Sequence, residues 1–143
     1  KIDLTKEYII LLQHPVTTEF GDGLNQIKQT LEAIGKLKDN VQVIGLWPNP
    51  DAGSDDISKG IRIIREQKKN LKMRFFRNFT PEDFLRILNN SSCVVGNSSA
   101  GIRECSFMGV PTVNIGSRQN LRERASNVLD VSYKNDEIYR AIK

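Results

Sequence analysis

Short apolar runs alternate along this chain with segments in which apolar residues recur every three or four positions. The runs are rich in Ile, Val and Leu and are bounded by polar residues, which is typical of buried strands. They predict strands over residues 8–12, 41–46, 71–76, 93–95, 112–115 and 127–131. The segments between them predict helices around residues 24–34, 57–64, 84–88 and 100–108, and a last helix that begins near residue 135.

Capping residues predict two of the helix boundaries. Thr80 is followed by a proline and two acidic residues, a pattern in which the threonine side chain caps the first turn. We expect Phe84, Leu85 and Leu88 to form the apolar face of that helix. Gly109 ends the helix predicted over 100–108, because glycine readily adopts the left-handed conformation common at that position.

Strand–helix alternation of this kind predicts one α/β domain, with a parallel sheet and helices packed on both of its faces. Ligands of such sheets bind at the carboxyl ends of the strands. The residues that directly follow each predicted strand are therefore the candidates for binding and chemistry.

The composition is that of an ordinary globular protein. Of the 143 residues, 38% are hydrophobic and 27% are charged, and the net charge of +4 suits an anionic ligand or a plain basic surface. No apolar run is long enough to cross a bilayer, so we expect no membrane partner and no signal peptide. Cys93 and Cys105 form no disulfide framework or zinc pattern. We expect inert core thiols, no metal, no cofactor and a cytoplasmic setting.

His14, the single histidine of the chain, directly follows the first predicted strand, and Pro15 favours an extended backbone there. A histidine at a ligand-binding edge serves as a general acid or base, or donates to a phosphate. The alternative is a ring that only packs and bonds to backbone. Position alone does not separate these two roles.

Two further segments follow the second and third predicted strands. Asn49 lies between two prolines, where turn formation explains it as well as ligand binding does. Arg77 and Phe79 belong to a segment that interleaves aromatic and basic residues, which stack on nucleobases. A single nucleobase fits this short segment as well as a nucleic acid does, and no known nucleic-acid motif accompanies it. A core phenylalanine pair beside an exposed arginine is the alternative.

The segment after the fourth predicted strand carries the strongest signal for phosphate. Ser98 and Ser99 stand where a helix begins, and the N–H groups and dipole of a helix start attract anions. Gly101 allows a close approach to the backbone, and Glu104 is placed to accept bonds from ribose hydroxyls. A serine-capped helix without a ligand is the alternative. After the fifth strand, Arg118 is placed to reach the same phosphates.

Taken together, these segments resemble the UDP-N-acetylglucosamine 2-epimerases, in particular the hydrolysing type of sialic-acid pathways. The matching segments occur in the order found in that family. They are His14-Pro15-Val16-Thr17-Thr18, Pro48-Asn49 with Asp51-Ala52-Gly53-Ser54, Gly96-Asn97-Ser98-Ser99 with Gly101-Ile102-Arg103-Glu104, and Gly116-Ser117-Arg118-Gln119 running to Asn127-Val128-Leu129.

The resemblance implies a Rossmann-like three-layer parallel sheet that forms the C-terminal half of a glycosyltransferase B-type fold. The whole of residues 1–143 is then one nucleotide-sugar-binding domain. Its start at Lys1 rather than at a methionine is interpreted as a boundary inside a longer protein. The expected partners are a UDP-sugar, the N-terminal domain that carries the family's acidic catalytic residues, and a second copy, since the family is often dimeric. We expect no nucleic-acid partner.

The resemblance also implies a role for each candidate residue. The serines and the arginine after the fifth strand bind the diphosphate, the glutamate holds the ribose, and the segment after the third strand meets uracil. It assigns catalysis to His14 and substrate binding to Asn49, Arg77, Phe79, Ser98, Ser99, Gly101, Glu104 and Arg118.

The family reaction removes the C2 proton of the sugar and expels UDP, after which water adds to give N-acetylmannosamine. His14 is followed by Pro-Val-Thr-Thr rather than by the charged run of the non-hydrolysing enzymes, which favours hydrolysis. Three alternatives stay open: the same chemistry on UDP-diacetylbacillosamine, a glycosyltransferase of the same fold, and a non-enzymatic nucleotide- or RNA-binding module. The domain alone is expected to be inactive or nearly so.

Overall fold

A computed structural model describes residues 3–14, 22–37, 41–47, 54–67, 72–116, 118–119 and 125–142. The strands in these ranges are β1 (Tyr8–Leu12), β2 (Gln42–Leu46), β3 (Lys72–Phe76), β4 (Cys93–Gly96), β5 (Thr112–Ile115) and β6 (Val128–Val131). The helices are α1 (Gly23–Gly35), α2 (Ser54–Gln67), α3 (Pro81–Asn90), α4 (Ser99–Ile102), α5 (Glu104–Met108) and α6 (Asn135–Ile142).

The strands form one parallel sheet in the order β3-β2-β1-β4-β5-β6. This is the doubly wound order, in which the chain builds outward from β1 in one direction and then returns to build outward in the other. The reversal falls between β1 and β4, whose register pairs Leu12 with Gly96. The predicted α/β fold is confirmed, and its topology places the ligand crevice at the carboxyl ends of these two strands.

The sheet is the middle of three layers, because successive side chains of a strand point to opposite faces. In β1, Ile9 and Leu11 share a hydrophobic cluster with residues of α1, α2 and α6. Tyr8, Ile10 and Leu12 share a second cluster with residues of α3, α4 and α5. Both faces of β1 are therefore buried, and each fully buried Ile or Leu contributes about 1.5–3 kcal/mol to folding.

The single helix predicted over 100–108 is wrong, because the structure has two short helices that meet at Arg103. The Thr112 hydroxyl donates to the Gly101 carbonyl at 3.0 Å. In a continuous helix that carbonyl accepts from Cys105, four residues on, so the strand side chain occupies a helical acceptor. The predicted end is confirmed, since Gly109 has φ of 73° and closes α5.

The predicted start of α3 is confirmed, while one residue of its predicted apolar face is not buried. Thr80 caps the helix and accepts from the Asp83 N–H at 3.2 Å. Leu88 is fully buried and Phe84 is half-buried, but Leu85 is 44% exposed. Phe84 and Leu88 lie four residues apart on one face of the helix, and Leu85 is rotated away from it.

Among the described residues, no helix has the length and apolar character needed to span a bilayer.

Candidate active site

A cavity of about 430 Å³ opens at the carboxyl edge of the sheet. It lies where β1, β2, β3 and β4 end and where α3 and α4 begin, so strand ends and helix starts supply its walls. The lining residues are Leu12, His14, Leu46, Trp47, Arg77, Asn78, Phe79, Pro81, Phe84, Ser98 and Ala100. Four of the predicted site residues, from three separate segments, therefore meet in one cavity: His14, Arg77, Phe79 and Ser98.

His14 is buried in the wall of this cavity, and its backbone is held by one side chain. The His14 N–H donates to Asn97 Oδ1 at 2.8 Å, and Asn97 Nδ2 donates to the His14 carbonyl at 2.9 Å. Asn97 belongs to the segment singled out in the sequence, but no role was predicted for it. Its role becomes visible only when β1 and β4 are side by side.

Gly96 makes this juxtaposition possible. Its φ of 139° is one that residues with a side chain rarely adopt, and a Cβ there would lie 2.0 Å from the Leu12 carbonyl oxygen. The Asn97 N–H then donates to that same oxygen at 3.0 Å. The end of β4 is thus bound closely to the end of β1, which sets the place of the residues that follow both strands.

Ser98 caps α4 with its side chain. Its Oγ accepts from the Ala100 N–H at 3.2 Å, and its carbonyl accepts from the Gly101 N–H at 3.2 Å. These two N–H groups at the start of the helix therefore already donate within the protein. Fewer N–H groups are left for an anion than the sequence suggested. The Ser98 oxygen accepts in the cap, so its own O–H proton remains a donor, and Ser98 is one of the residues that line the cavity. α4 is one turn long, so its dipole adds little.

Arg118 reaches the start of α4, and its predicted contact with phosphate stays a prediction. Its Nη1 donates to the Asn97 carbonyl at 3.1 Å, and the buried Gln119 donates through Nε2 to the same carbonyl at 3.0 Å. That carbonyl immediately precedes Ser98. A permanently charged guanidinium therefore bonds to the residue that precedes the capping serine, although Arg118 is not among the residues that line the cavity.

Trp47 and Phe79 line the cavity in the region predicted to meet a base, and each of them packs on a second ring that is not part of the lining. The rings of Phe76 and Phe79 lie 5.0 Å apart, and those of Trp47 and Phe75 lie 5.2 Å apart. Arg77 is exposed at the rim. Trp47, for which the sequence predicted no role, also lines the cavity.

Three of the predicted binding residues lie on α4 and α5 outside the cavity lining. Ser99 is the first residue of α4. A Cβ on buried Gly101 would lie 2.7 Å from Thr112 Cγ2, so packing on β5 already explains that glycine. Glu104 pairs with Arg103 through Oε1 at 3.2 Å, while its buried Oε2 has no hydrogen-bond partner within the described part of the chain. Asn49 lies outside the described residues. The ligand contacts of these residues stay predictions.

The two cysteines are free thiols buried in the core, as predicted. Burial, with a smaller contribution from Glu7, raises the pKa of the Cys93 thiol to about 12. Burial also raises the pKa of Cys105 to about 11, although a hydrogen bond with Thr112 acts in the opposite direction. Across the ranges that the structure describes, no three His, Cys, Asp or Glu side chains are grouped as metal ligands would be.

A family model described as UDP-N-acetylglucosamine 2-epimerase matches residues 1–143. The chain belongs to that family. One relative, the hydrolysing UDP-N,N'-diacetylbacillosamine 2-epimerase of Legionella pneumophila, is 36% identical over 141 residues. Another, the UDP-N-acetylglucosamine 2-epimerase of Neisseria meningitidis serogroup B, is 33% identical over 138 residues. They match 99% and 96% of this chain, which in turn covers only 36% and 35% of their lengths.

Solved structures of epimerases share the fold. The UDP-N-acetylglucosamine 2-epimerase of Neisseria meningitidis bound to UDP-GlcNAc superposes with a TM-score of 0.75 at 14% identity, over 98% of this chain and 36% of that one. The Methanocaldococcus jannaschii enzyme gives 0.73 at 17% identity, over 99% and 39%. The Rossmann-like sheet of a glycosyltransferase B-type epimerase, expected from the resemblance, is therefore confirmed.

Proposed function

We propose that this chain is the UDP-binding, C-terminal domain of a hydrolysing UDP-N-acetylglucosamine 2-epimerase, a cytoplasmic enzyme that supplies N-acetylmannosamine for sialic-acid-type sugars. The observation that carries the proposal is the meeting of three segments at the switch point of the sheet. His14 and Arg118 both bond to Asn97, at 2.8 and 3.1 Å, and Ser98 is the next residue. The segments that carry them lie 83 and 21 residues from Asn97 in the sequence.

The charges of this site suit the departure of UDP. When the bond between the sugar and the diphosphate breaks, negative charge grows on the diphosphate, and donors already in place stabilise it more than they stabilise the intact substrate. Arg118 supplies a fixed positive charge and Ser98 supplies a hydroxyl donor. His14, whose backbone bonds to the side chain of Asn97, is placed to exchange a proton with the sugar or the leaving group.

The cavity beside these donors suits the rest of the nucleotide. A flat uracil ring fits between aromatic walls, where Phe79 and Trp47 offer apolar surface and exposed Arg77 and Asn78 offer donors at the rim. The buried, unbonded oxygen of Glu104 supports the predicted bond to ribose, because a buried carboxylate oxygen gains a partner when a hydroxyl donates to it.

The remaining chemistry is assigned to a second domain. The chain spans about a third of the length of its curated relatives. We place the acidic catalytic residues on an N-terminal domain that closes over this edge, so the active site is the cleft between the two. A homodimer of the whole protein is part of the same proposal.

A second substrate has specific support. The Legionella relative, named for UDP-N,N'-diacetylbacillosamine, is 36% identical, while the Neisseria relative named for UDP-N-acetylglucosamine is 33% identical. The two sugars share the UDP that this domain is proposed to hold. They differ in the groups carried by the sugar ring, and no described residue here is assigned to the groups that differ.

The deciding experiment gives the full-length protein each UDP-sugar in turn and follows free UDP and the released sugar together. We expect equal amounts of UDP and free 2-epimerised sugar from one of the two substrates. UDP release that requires an added acceptor would identify a transferase instead. Steeply salt-dependent RNA binding without UDP affinity would identify a nucleic-acid module.

Residues 1–143 alone provide a second test. We expect them to bind UDP weakly and to show little or no turnover, because the diphosphate donors are present and the proposed acids are not. Strong epimerase activity from these residues alone would contradict the division of labour between two domains.

A further inference from the structure

We propose that Asn97 is a positioning residue that fixes His14 relative to the diphosphate-binding residues. The inference rests on the proposed function and deepens it, since it names what aligns the proton-transfer group with the leaving group. Asn97 does not touch the substrate in this proposal. It acts through the backbone of His14.

The side chain of Asn97 holds His14 at two points. Its Oδ1 accepts from the His14 N–H at 2.8 Å, and its Nδ2 donates to the His14 carbonyl at 2.9 Å. Asn97 is 1% exposed, so water does not compete for either bond. Two bonds to one residue restrict rotation as well as distance, and they set the direction in which the histidine ring leaves the backbone.

The backbone of Asn97 serves the other half of the site. Its carbonyl accepts from Arg118 Nη1 at 3.1 Å and from Gln119 Nε2 at 3.0 Å. The side chain thus orients the proposed acid–base group, and the carbonyl anchors the segment of the proposed diphosphate ligand. Because the side-chain amide and the backbone carbonyl are different groups, a substitution at Asn97 removes the bonds to His14 and leaves the carbonyl that accepts from Arg118.

Few other side chains could bond to both the N–H and the carbonyl of His14. Aspartate retains an acceptor for the N–H but has no donor for the carbonyl, and its charge would face that carbonyl oxygen. Glutamine has both groups but adds a methylene in a site that is almost fully enclosed. Serine is too short to reach both positions at once. Asparagine fits because its planar amide offers one acceptor and one donor side by side, which match the N–H and the carbonyl of a single residue.

The test measures turnover and UDP affinity separately in the full-length enzyme. Asn97→Ala removes the clamp and leaves the carbonyl in place. Misplacement of a reacting group by about 1 Å costs roughly 100-fold in rate, so we expect kcat to fall by about that factor. We expect the dissociation constant of UDP to change by less than about threefold, since Ser98 and Arg118 are untouched.

The matched control is Asn114→Ala. Asn114 is also 1% exposed and also bonded through its side-chain amide, with Nδ2 donating to Asp130 Oδ1 at 2.8 Å. It lies on β5, where it pairs with Gly96, and its side chain bonds to β6 and not to His14. Loss of Asn114 therefore reports the cost of removing a buried asparagine as such, and we expect it to leave kcat within about twofold of the wild type.

A conservative variant and a direct readout complete the experiment. Asn97→Asp retains the bond to the His14 N–H, so we expect a kcat between those of the wild type and Asn97→Ala, and it carries the test if the alanine variant does not fold. Hydrogen exchange of the His14 amide, read by NMR, should accelerate in Asn97→Ala and not in Asn114→Ala.

Specific outcomes would overturn the inference. An unchanged kcat, an equal loss of UDP affinity, or an equal loss of kcat in Asn114→Ala would each show that Asn97 does not position His14. If the wild type releases no UDP from either sugar, the proposed function fails on its own. In that case the exchange rate of the His14 amide still decides whether the clamp exists.

Discussion

Two cavities of nearly equal size lie at opposite edges of the same sheet, and their linings differ. The cavity at the carboxyl edge measures about 430 Å³ and is lined by a histidine, an arginine, an asparagine, a capping serine and aromatic rings. The cavity at the amino edge measures about 440 Å³. Its lining is chiefly aliphatic, from the beginnings of β1, β4, β5 and β6 and the ends of α1 and α6, with the Cys93 thiol among them.

The volumes of the two cavities do not distinguish the two edges of the sheet. The direction of the strands does distinguish them. At the carboxyl edge each strand leads to a helix start, where capping side chains and N–H donors gather. At the amino edge helices end and strands begin, and apolar strand residues close the space. Substitutions at the two edges should therefore differ in their effects on stability and on ligand binding.

The largest difference is expected between two glycines at the two edges. Gly96→Ala forces φ of 139° on alanine and places its Cβ 2.0 Å from the Leu12 carbonyl, so we expect a loss of at least about 3 kcal/mol in the free energy of unfolding. Gly109→Ala, at the amino edge, meets no atom within 4 Å, and its φ of 73° costs about 1 kcal/mol. Chemical denaturation measures both, and equal losses would contradict the close joining of β1 to β4.

UDP affinity should depend on an arginine at the carboxyl edge and not on one elsewhere. Arg118→Ala removes a charged donor beside Ser98, and such bonds are worth about 1.5–3 kcal/mol, so we expect a loss of about tenfold to 100-fold in affinity. Arg140, exposed on α6, is the control, and its alanine variant should bind UDP as the wild type does. Isothermal titration calorimetry compares the two. A similar loss in both would show that only net charge matters.

Two helix caps should have the same effect on stability and different effects on ligand binding. Ser98→Ala and Thr80→Ala each remove a side chain that accepts a helix-start N–H at 3.2 Å, and each should cost about 1 kcal/mol of stability. We expect Ser98→Ala alone to weaken UDP binding, by about fivefold, because its hydroxyl is also a donor to phosphate. Comparable weakening in Thr80→Ala would remove Ser98 from the diphosphate site.

The smallest effect is expected at the amino edge, where Cys93 should be chemically silent. Burial raises its pKa from 9.0 to about 12, which lowers the thiolate fraction at pH 8 by roughly a thousandfold. We expect no alkylation of Cys93 by iodoacetamide in the folded state and rapid alkylation once the chain is unfolded. Mass spectrometry measures the alkylation in both states.

The same shift gives a pH dependence. Because the pKa of Cys93 is higher in the folded state, its contribution to stability is complete below about pH 9 and is lost as the pH rises toward 12. Fast labelling at pH 8 without loss of structure would show that the amino-edge cavity opens to reagents.

Local rules succeeded where the interactions are local. The Thr80 cap, the end of α5 at Gly109 and the core position of Leu88 all follow from residues within one helical turn. They failed where a distant residue intervened. The break at Arg103 is associated with the Thr112 hydroxyl, which takes the Gly101 carbonyl from eleven residues away.

The sequence by itself determined the alternation of strands and helices, the capping residues and the order of the polar segments that follow the strands. Only the tertiary structure decided that Asn97 holds the backbone of His14, 83 residues away, while its carbonyl holds Arg118. The physical reason is that periodicity and capping report on neighbours within a few residues. Hydrogen bonds between distant segments depend on the order and register of the strands. Packing of the whole sheet during folding determines that order and register.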